Sequence, residues 1–138
     1  MEAKDLRMGN WVYNPIQKIN ILVDFNVLNL IRLDNLRYAR EIKKGEECFQ
    51  PIPLTEEILL KCGFDKIKIE HEEYSGFEYE LSLGTYSKIL VLDDFSYSIV
   101  CKKIEDNSVC FDKDILTSLH QLQNLYFALT NEELKYNG

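Results

Sequence analysis

The 138 residues suffice for one domain of ordinary size, and a chain of that length buries roughly 68 % of the surface its unfolded form exposes. A hydrophobic share of 46 % beside 28 % charged residues excludes the apolar-poor composition of a disordered chain. The formal charge of −7 is unevenly placed: residues 1–50 hold eight Lys/Arg against seven Asp/Glu and residues 51–138 eight against sixteen, so the parts carry +1 and −8. An acidic surface repels phosphate and forfeits counterion release, which disfavours a general DNA- or RNA-binding role.

Residues 1–10 mix Glu2, Lys4, Asp5 and Arg7 with no apolar stretch behind them, so no secretory signal is predicted. The longest apolar run, residues 125–129, is far shorter than the ~18 residues of a membrane span. Gly9-Asn10 before Trp11-Val12-Tyr13 and Asn14-Pro15 after it predict a short strand between turns. Ile19, Ile21, Val23, Phe25 and Val27 alternate with Asn20, Leu22, Asp24 and Asn26, the period of a strand. Asp34-Asn35 between the runs 27–33 and 36–42 predicts a hairpin turn, completing a set of short curled strands of SH3-like type.

The strongest local signal is residues 51–64. Pro53 stops preceding structure, Thr55 is a good N-cap, and Glu56 and Glu57 put negative charge at the positive end of the helix dipole. Leu54 can staple to Leu59, Lys61 falls in the last turn, and Gly63 supplies a left-handed C′ residue. A helix of about two turns follows over residues 56–62. Beyond it, Ile67 and Ile69 open a strand, and Phe77, Tyr79, Leu81 and Leu83 alternate with Glu78, Glu80 and Ser82. Residues 89–92, a turn at Asp93-Asp94, the alternation Phe95, Tyr97, Ile99, Cys101, and a turn at Asp106-Asn107 into 109–111 continue an antiparallel meander. Ile115, Leu119, Leu122, Tyr126 and Leu129 recur at the helical period, and Ser118 with Gln121 fits a capping box, so a helix over residues 119–129 closes the chain. The fold class expected is α+β in a single domain, residues 1–138, without repeats or linkers.

The chemistry offers little that assembles. His71 and His120 alone titrate near neutrality. His71 reads as a loop residue, and His120 as the start of the last helix, within reach of Asp112 or Asp114. A thiol nucleophile, Cys101 or Cys110 with His120, is the enzymatic alternative, a small Cys/His hydrolase, but Cys101 falls on an apolar strand face and buried thiols are usually inert. Cys48, Cys62, Cys101 and Cys110 contain no C-x-x-C pair, and the histidines are 49 positions apart, so no metal is expected. No glycine-rich phosphate loop or G-x-S-x-G elbow occurs, and no cofactor or catalytic residue is expected. In a chain of this size without export signals the cysteines read as reduced, in the cytoplasm.

Two charged clusters remain as binding candidates. Arg32, Arg37, Arg40, Lys43 and Lys44, with Tyr38 among them, form the only basic cluster and the basis of a nucleic-acid-associated alternative, although a strand over residues 36–42 would split it between two faces. Glu72, Glu73, Glu78 and Glu80, beside Glu70, form an acidic stripe in which Glu78 and Glu80 stand roughly 6.6–6.8 Å apart on one strand face. That stripe could engage a basic protein partner, or be an ordinary solvent face.

Three segments carry a resemblance: residues 5–12 (Asp5-Leu6-Arg7-Met8-Gly9-Asn10-Trp11-Val12), residues 51–59 (Pro51-Ile52-Pro53-Leu54-Thr55-Glu56-Glu57-Ile58-Leu59) through Gly63-Phe64, and residues 120–130 (His120-Gln121-Leu122-Gln123-Asn124-Leu125-Tyr126-Phe127-Ala128-Leu129-Thr130) with Glu133-Leu134. Together they resemble a family of small uncharacterised proteins of phages, prophages and mobile elements of gut anaerobic bacteria. The resemblance implies an accessory protein acting on a host or phage protein and supplies no activity or catalytic residues. Turns, caps and packing account for most of the shared residues. Gln121, Gln123 and Asn124 are the exceptions, because a helix by itself does not require them.

Overall fold

Trp11–Asn14 (β1) and Ile19–Leu22 (β2) pair antiparallel, Trp11 opposite Leu22 and Asn14 opposite Ile19. The structure, a computed structural model, describes residues 1–38, 49–70, 72, 75–84, 87–92, 98–104, 107–114 and 116–137. The turn between the two strands is built by Asn14, whose Oδ1 accepts from the N–H groups of Ile16 at 3.0 Å and Gln17 at 3.1 Å, an Asx turn.

The strands predicted over residues 23–38 are not strands, and residues 39–42 of the run 36–42 lie outside the described residues. Phe25–Tyr38 is a helix, α1, so the alternation ends at Val23 and Asp34-Asn35 is helical rather than a hairpin turn. The cause is Asp24: its Oδ1 accepts from Val27 N–H at 2.8 Å and its carbonyl from Leu28 N–H at 3.0 Å, an N-cap that nucleates a helix where a pattern of period two is still running. Val27, Leu28 and Ile31 then share one side of the helix. Ile31 joins a core with Leu6, Val12, Val23 and Phe49, against which Met1, Ala3, Ile21, Val27 and Leu28 pack. A two-stranded hairpin and a helix therefore stand where the SH3-like set of strands was expected.

Glu56–Lys61 (α2) is the predicted capped helix. Thr55 Oγ1 accepts from Ile58 N–H at 3.3 Å, and Gly63 has φ +92°, the left-handed conformation that ends the helix at little cost only for glycine. Asp65–Glu70 (β3), Ser75–Ser82 (β4), Ser87–Leu92 (β5), Ser98–Ile104 (β6) and Asn107–Asp114 (β7) follow as a five-stranded antiparallel sheet in sequence order, the predicted meander. The Asp93-Asp94 turn and residues 95–97 lie outside the described residues, as do His71, Glu73, Cys48 and the basic residues Arg40, Lys43 and Lys44.

Leu119–Thr130 (α3) is the predicted closing helix. Ser118 N–H donates to Gln121 Oε1 at 3.2 Å, the return arm of the expected capping box. Leu119 and Leu122 are fully buried, whereas Leu129, at the far end of the predicted apolar stripe, is 45 % exposed. The whole is α+β, with no helix among the described residues long and apolar enough to cross a membrane.

Contacts group the described chain into two units. Unit 1 comprises Met1–Pro53 with Ser118–Glu133, and unit 2 comprises Leu54–Thr117 with Leu134–Asn137. The core of α1 and the β1–β2 hairpin belongs to unit 1. In unit 2 the buried apolar residues include Leu54, Leu59, Cys62, Phe64, Tyr79, Ile89, Val91 and Leu116.

Candidate functional site

Three groups of side chains within unit 1 and unit 2 bear on function, and the first explains the residues that helix physics left over. Trp11 and Tyr13 alternate along β1, and their N–H groups find acceptors other than β2. Tyr13 exchanges two 2.8 Å hydrogen bonds with Gln50, while Trp11 N–H donates to the side-chain Oε1 of Gln123 at 2.9 Å. Gln123, 1 % exposed, also donates from Nε2 to the carbonyl of Gly9 at 3.1 Å. Its amide thus serves as a short piece of backbone, one acceptor and one donor facing the strand's first residues.

Next to it, Asn124 donates to the carbonyl of Asp5 and accepts from Asn10 Nδ2, both at 2.9 Å, and buried Asn10 accepts from Arg7 N–H at 2.7 Å. Arg7 closes the cluster from outside. Its guanidinium lies 4.0 Å from the Phe127 ring centroid and forks onto Glu133, with Nη2 to Oε2 at 3.1 Å and Nη1 to Oε1. The hydrogen bond from Arg7 holds the Glu133 carboxyl below its ordinary pKa. A Cβ on Gly9, where φ is +94°, would stand 3.3 Å from Glu133 Oε1, so a glycine fits both the backbone and the space. Segments 5–12 and 120–133, two of the three that carry the resemblance, are therefore partners in one polar clasp. Gln123 and Asn124 have structural tasks that account for them, and Gln121 caps its own helix.

Of the titratable candidates, His120 and Cys62 have described side chains. His120 is buried at the start of α3, its Nδ1 3.2 Å from the Ser118 hydroxyl. Burial pulls its pKa below the ordinary value, with the Asp5 carboxylate opposing. The side chains of Asp112, Asp114, Cys101 and Cys110 lie outside the described residues. Cys62 is a buried free thiol whose pKa desolvation pushes up to about 12, the reverse of an activated nucleophile. No group of three or more His, Cys, Asp or Glu able to hold a metal occurs among the described residues.

Because a folded-state pKa below 6.5 means that the unfolded chain binds the proton more readily, His120 stabilises the fold above that pH. The contribution is lost as pH falls from about 6.5 toward the folded pKa. Urea titrations at about pH 7 and pH 5.5 are expected to show this loss, and His120→Asn to reduce it. Equal pH dependence in the two proteins would contradict the assignment.

The second group is the predicted acidic stripe. Glu72 is exposed, but Glu78 and Glu80 are only half-exposed. Lysines match part of the charge: Lys88 pairs with Glu80 and Lys68 with Glu70 at 2.8 Å, while Lys66 pairs outside the stripe, with Glu56 at 2.6 Å. Lys66 also lies 4.1 Å from the Phe77 ring centroid, partly covering an aromatic that the alternation placed in the core but that is 38 % exposed. Only the Lys88–Glu80 pair is made across paired strands, β5 to β4; Lys68 and Glu70 lie two residues apart on β3, and Lys66 reaches Glu56 of α2. Of the basic cluster, Arg32 is exposed on α1 and donates to Asn29 Oδ1 at 3.4 Å, while the side chain of Arg37 lies outside the described residues.

The third group was not foreseen. A groove of about 580 Å³ is lined by Ala3, Lys4, Phe25, Leu28, Asn29 and Arg32. Phe25 is 72 % exposed, and Leu30 and Leu33 of the same helix are exposed as well. The signal available in sequence was the apolar-rich stretch 27–33, in which Val27, Leu28, Leu30, Ile31 and Leu33 spread wider than one buried helix face needs. Comparison with protein-family models, with curated proteins and with solved structures finds no match for this chain.

Proposed function

We propose that the chain is a non-catalytic accessory protein of a phage or other mobile element that works by binding another protein, of host or phage origin. The groove on α1 supports this reading most directly. An exposed aromatic beside Leu28, rimmed by Lys4 and Arg32, has the composition of an interface centre: apolar and aromatic in the middle, with cations at the edge. The resemblance of three segments to mobile-element proteins agrees with such a role. The acidic stripe of Glu72, Glu73, Glu78 and Glu80 is the other candidate surface for the same function, weakened at Glu80 by its pairing with Lys88.

Affinity capture from host lysate, run in parallel with Phe25→Ser and with Glu72, Glu78 and Glu80 changed to Gln, tests the proposal. Loss of a specific partner by more than tenfold in Phe25→Ser alone is the expected result, on the scale of an aromatic anchor at an interface centre. Loss only in the glutamine variant would move the interface to the acidic stripe. No specific partner, together with turnover in an activity screen, would replace the binding reading with an enzymatic one.

A further inference from the structure

In the register of β6 and β7, Cys101 lies opposite Cys110. The pairing around it is continuous: Val100 faces Phe111, Lys102 faces Val109, Lys103 faces Ser108 and Ile104 faces Asn107, and the one irregularity falls between Ile99 and Val100, outside this stretch. Directly opposed residues of an antiparallel pair share a face of the sheet, with Cα atoms about 4.5 Å apart at a non-hydrogen-bonded site and about 5.5 Å at a hydrogen-bonded one. A disulfide accepts Cα separations of about 4.4–6.8 Å, so either kind of site meets the requirement. β7 is the last strand in the sheet order β3-β4-β5-β6-β7, which puts Cys110 on an edge strand. Neither the fold nor the proposed binding role calls for two cysteines at one rung of a hairpin.

We propose that Cys101 and Cys110 form a modification site: a cross-strand dithiol that a small-molecule disulfide oxidises to an intramolecular disulfide. The Cys110 thiolate attacks one sulfur of the reagent, a sulfur–sulfur bond of the reagent breaks, and the departing thiolate takes up a proton. Cys101, deprotonated in turn, attacks the Cys110 sulfur of the mixed disulfide and releases the second thiol. The protein loses two hydrogens, and the reagent is reduced to two thiols. Oxidation pins the β6–β7 register, because a slip by one residue would carry one of the two cysteines to the opposite face. The dithiol is the resting state in a reducing compartment, consistent with the reduced cysteines expected there.

Cys62 does not compete. It is buried, and its thiol holds its proton far above neutrality.

The test uses the full chain equilibrated with glutathione buffers of increasing oxidised fraction, quenched by alkylation and digested with trypsin. Lys102 and Lys103 lie between the two cysteines, so the digest separates them unless the disulfide joins them. The expected product is one linked pair of peptides containing Cys101 and Cys110, at least tenfold over any pair involving Cys48 or Cys62. Cys101→Ser and Cys101→Ala, each checked for folding by circular dichroism, are expected to stop at a glutathione adduct on Cys110. In urea the preference for this pair should fall severalfold. Folded protein that alkylates separately at both positions in the most oxidising buffer would overturn the proposal. So would a dominant link to Cys48 or Cys62, or a preference unchanged by urea, which would trace the pairing to the nine-residue spacing and not to the strands.

Discussion

Gln123→Leu is expected to lower stability by about 3 kcal/mol, because it withdraws an acceptor from the Trp11 N–H and a donor from the Gly9 carbonyl at a site with almost no access to water. Each buried polar group left without its partner costs about 1–3 kcal/mol, while the added apolar contact of leucine returns only part of that. A fall in melting temperature of roughly 10 °C is the corresponding readout for a chain of this size. Gln123→Glu separates the hydrogen bonds from the packing. A carboxylate keeps the acceptor but loses the donor and buries a charge, whereas the protonated acid restores an O–H for Gly9. Burial raises the folded pKa of that glutamate above its unfolded value, so this variant should gain stability, relative to the parent, as pH falls through the raised pKa. A Gln123→Leu protein as stable as the parent would show that the clasp contributes nothing, and a Gln123→Glu protein that loses ground on acidification would contradict the hydrogen-bond account.

Leu59→Ala is expected to cost about 2–5 kcal/mol, the range for truncating a fully buried leucine and leaving a cavity behind. Leu59 is 0 % exposed, and Leu60, its neighbour on α2, is 48 % exposed. Alanine and leucine have nearly the same intrinsic helix propensity, so the pair of substitutions isolates burial. Leu60→Ala should stay within about 0.5 kcal/mol of the parent. Urea unfolding with an unchanged slope decides the matter. Similar losses in both variants would mean that α2 is held by its caps and not by packing.

The elements legible in sequence were those whose instructions are local. Thr55, Glu56, Glu57 and Gly63 write both ends of α2 within nine residues, and Ser118 with Gln121 writes the start of α3. The meander was legible because turn residues and alternation recur at strand length. α1 was misread because Asp24 fits two patterns equally: it is the polar member of an alternating run and the cap of a helix, and only the carbonyl and carboxylate partners at Val27 and Leu28 choose between them. The clasp was visible only as a remainder. Gln123 and Asn124 stood out as polar residues that a helix does not need, but their partners lie more than a hundred positions away, and no local period reaches that far. Charge pairing is hidden in the sequence for a related reason. Lys88 stands eight positions from Glu80 and meets it only because β4 and β5 pair.

The two units have different histories on a ribosome. All but the last few residues of unit 2 come from the continuous stretch Leu54–Thr117, and its meander joins each strand to the next, so its contacts can form as the chain emerges. Unit 1 cannot finish then: the acceptor for Trp11 N–H belongs to a residue made 112 positions later. The N–H of Trp11 and the carbonyls of Gly9 and Asp5 must wait through the synthesis of all of unit 2 for their α3 partners Gln123 and Asn124, a delay set by chain topology and not by local propensity. Arrested nascent chains should therefore protect the amides of β3–β5 before those of β1, and the clasp residues should be the last to become resistant to proteolysis.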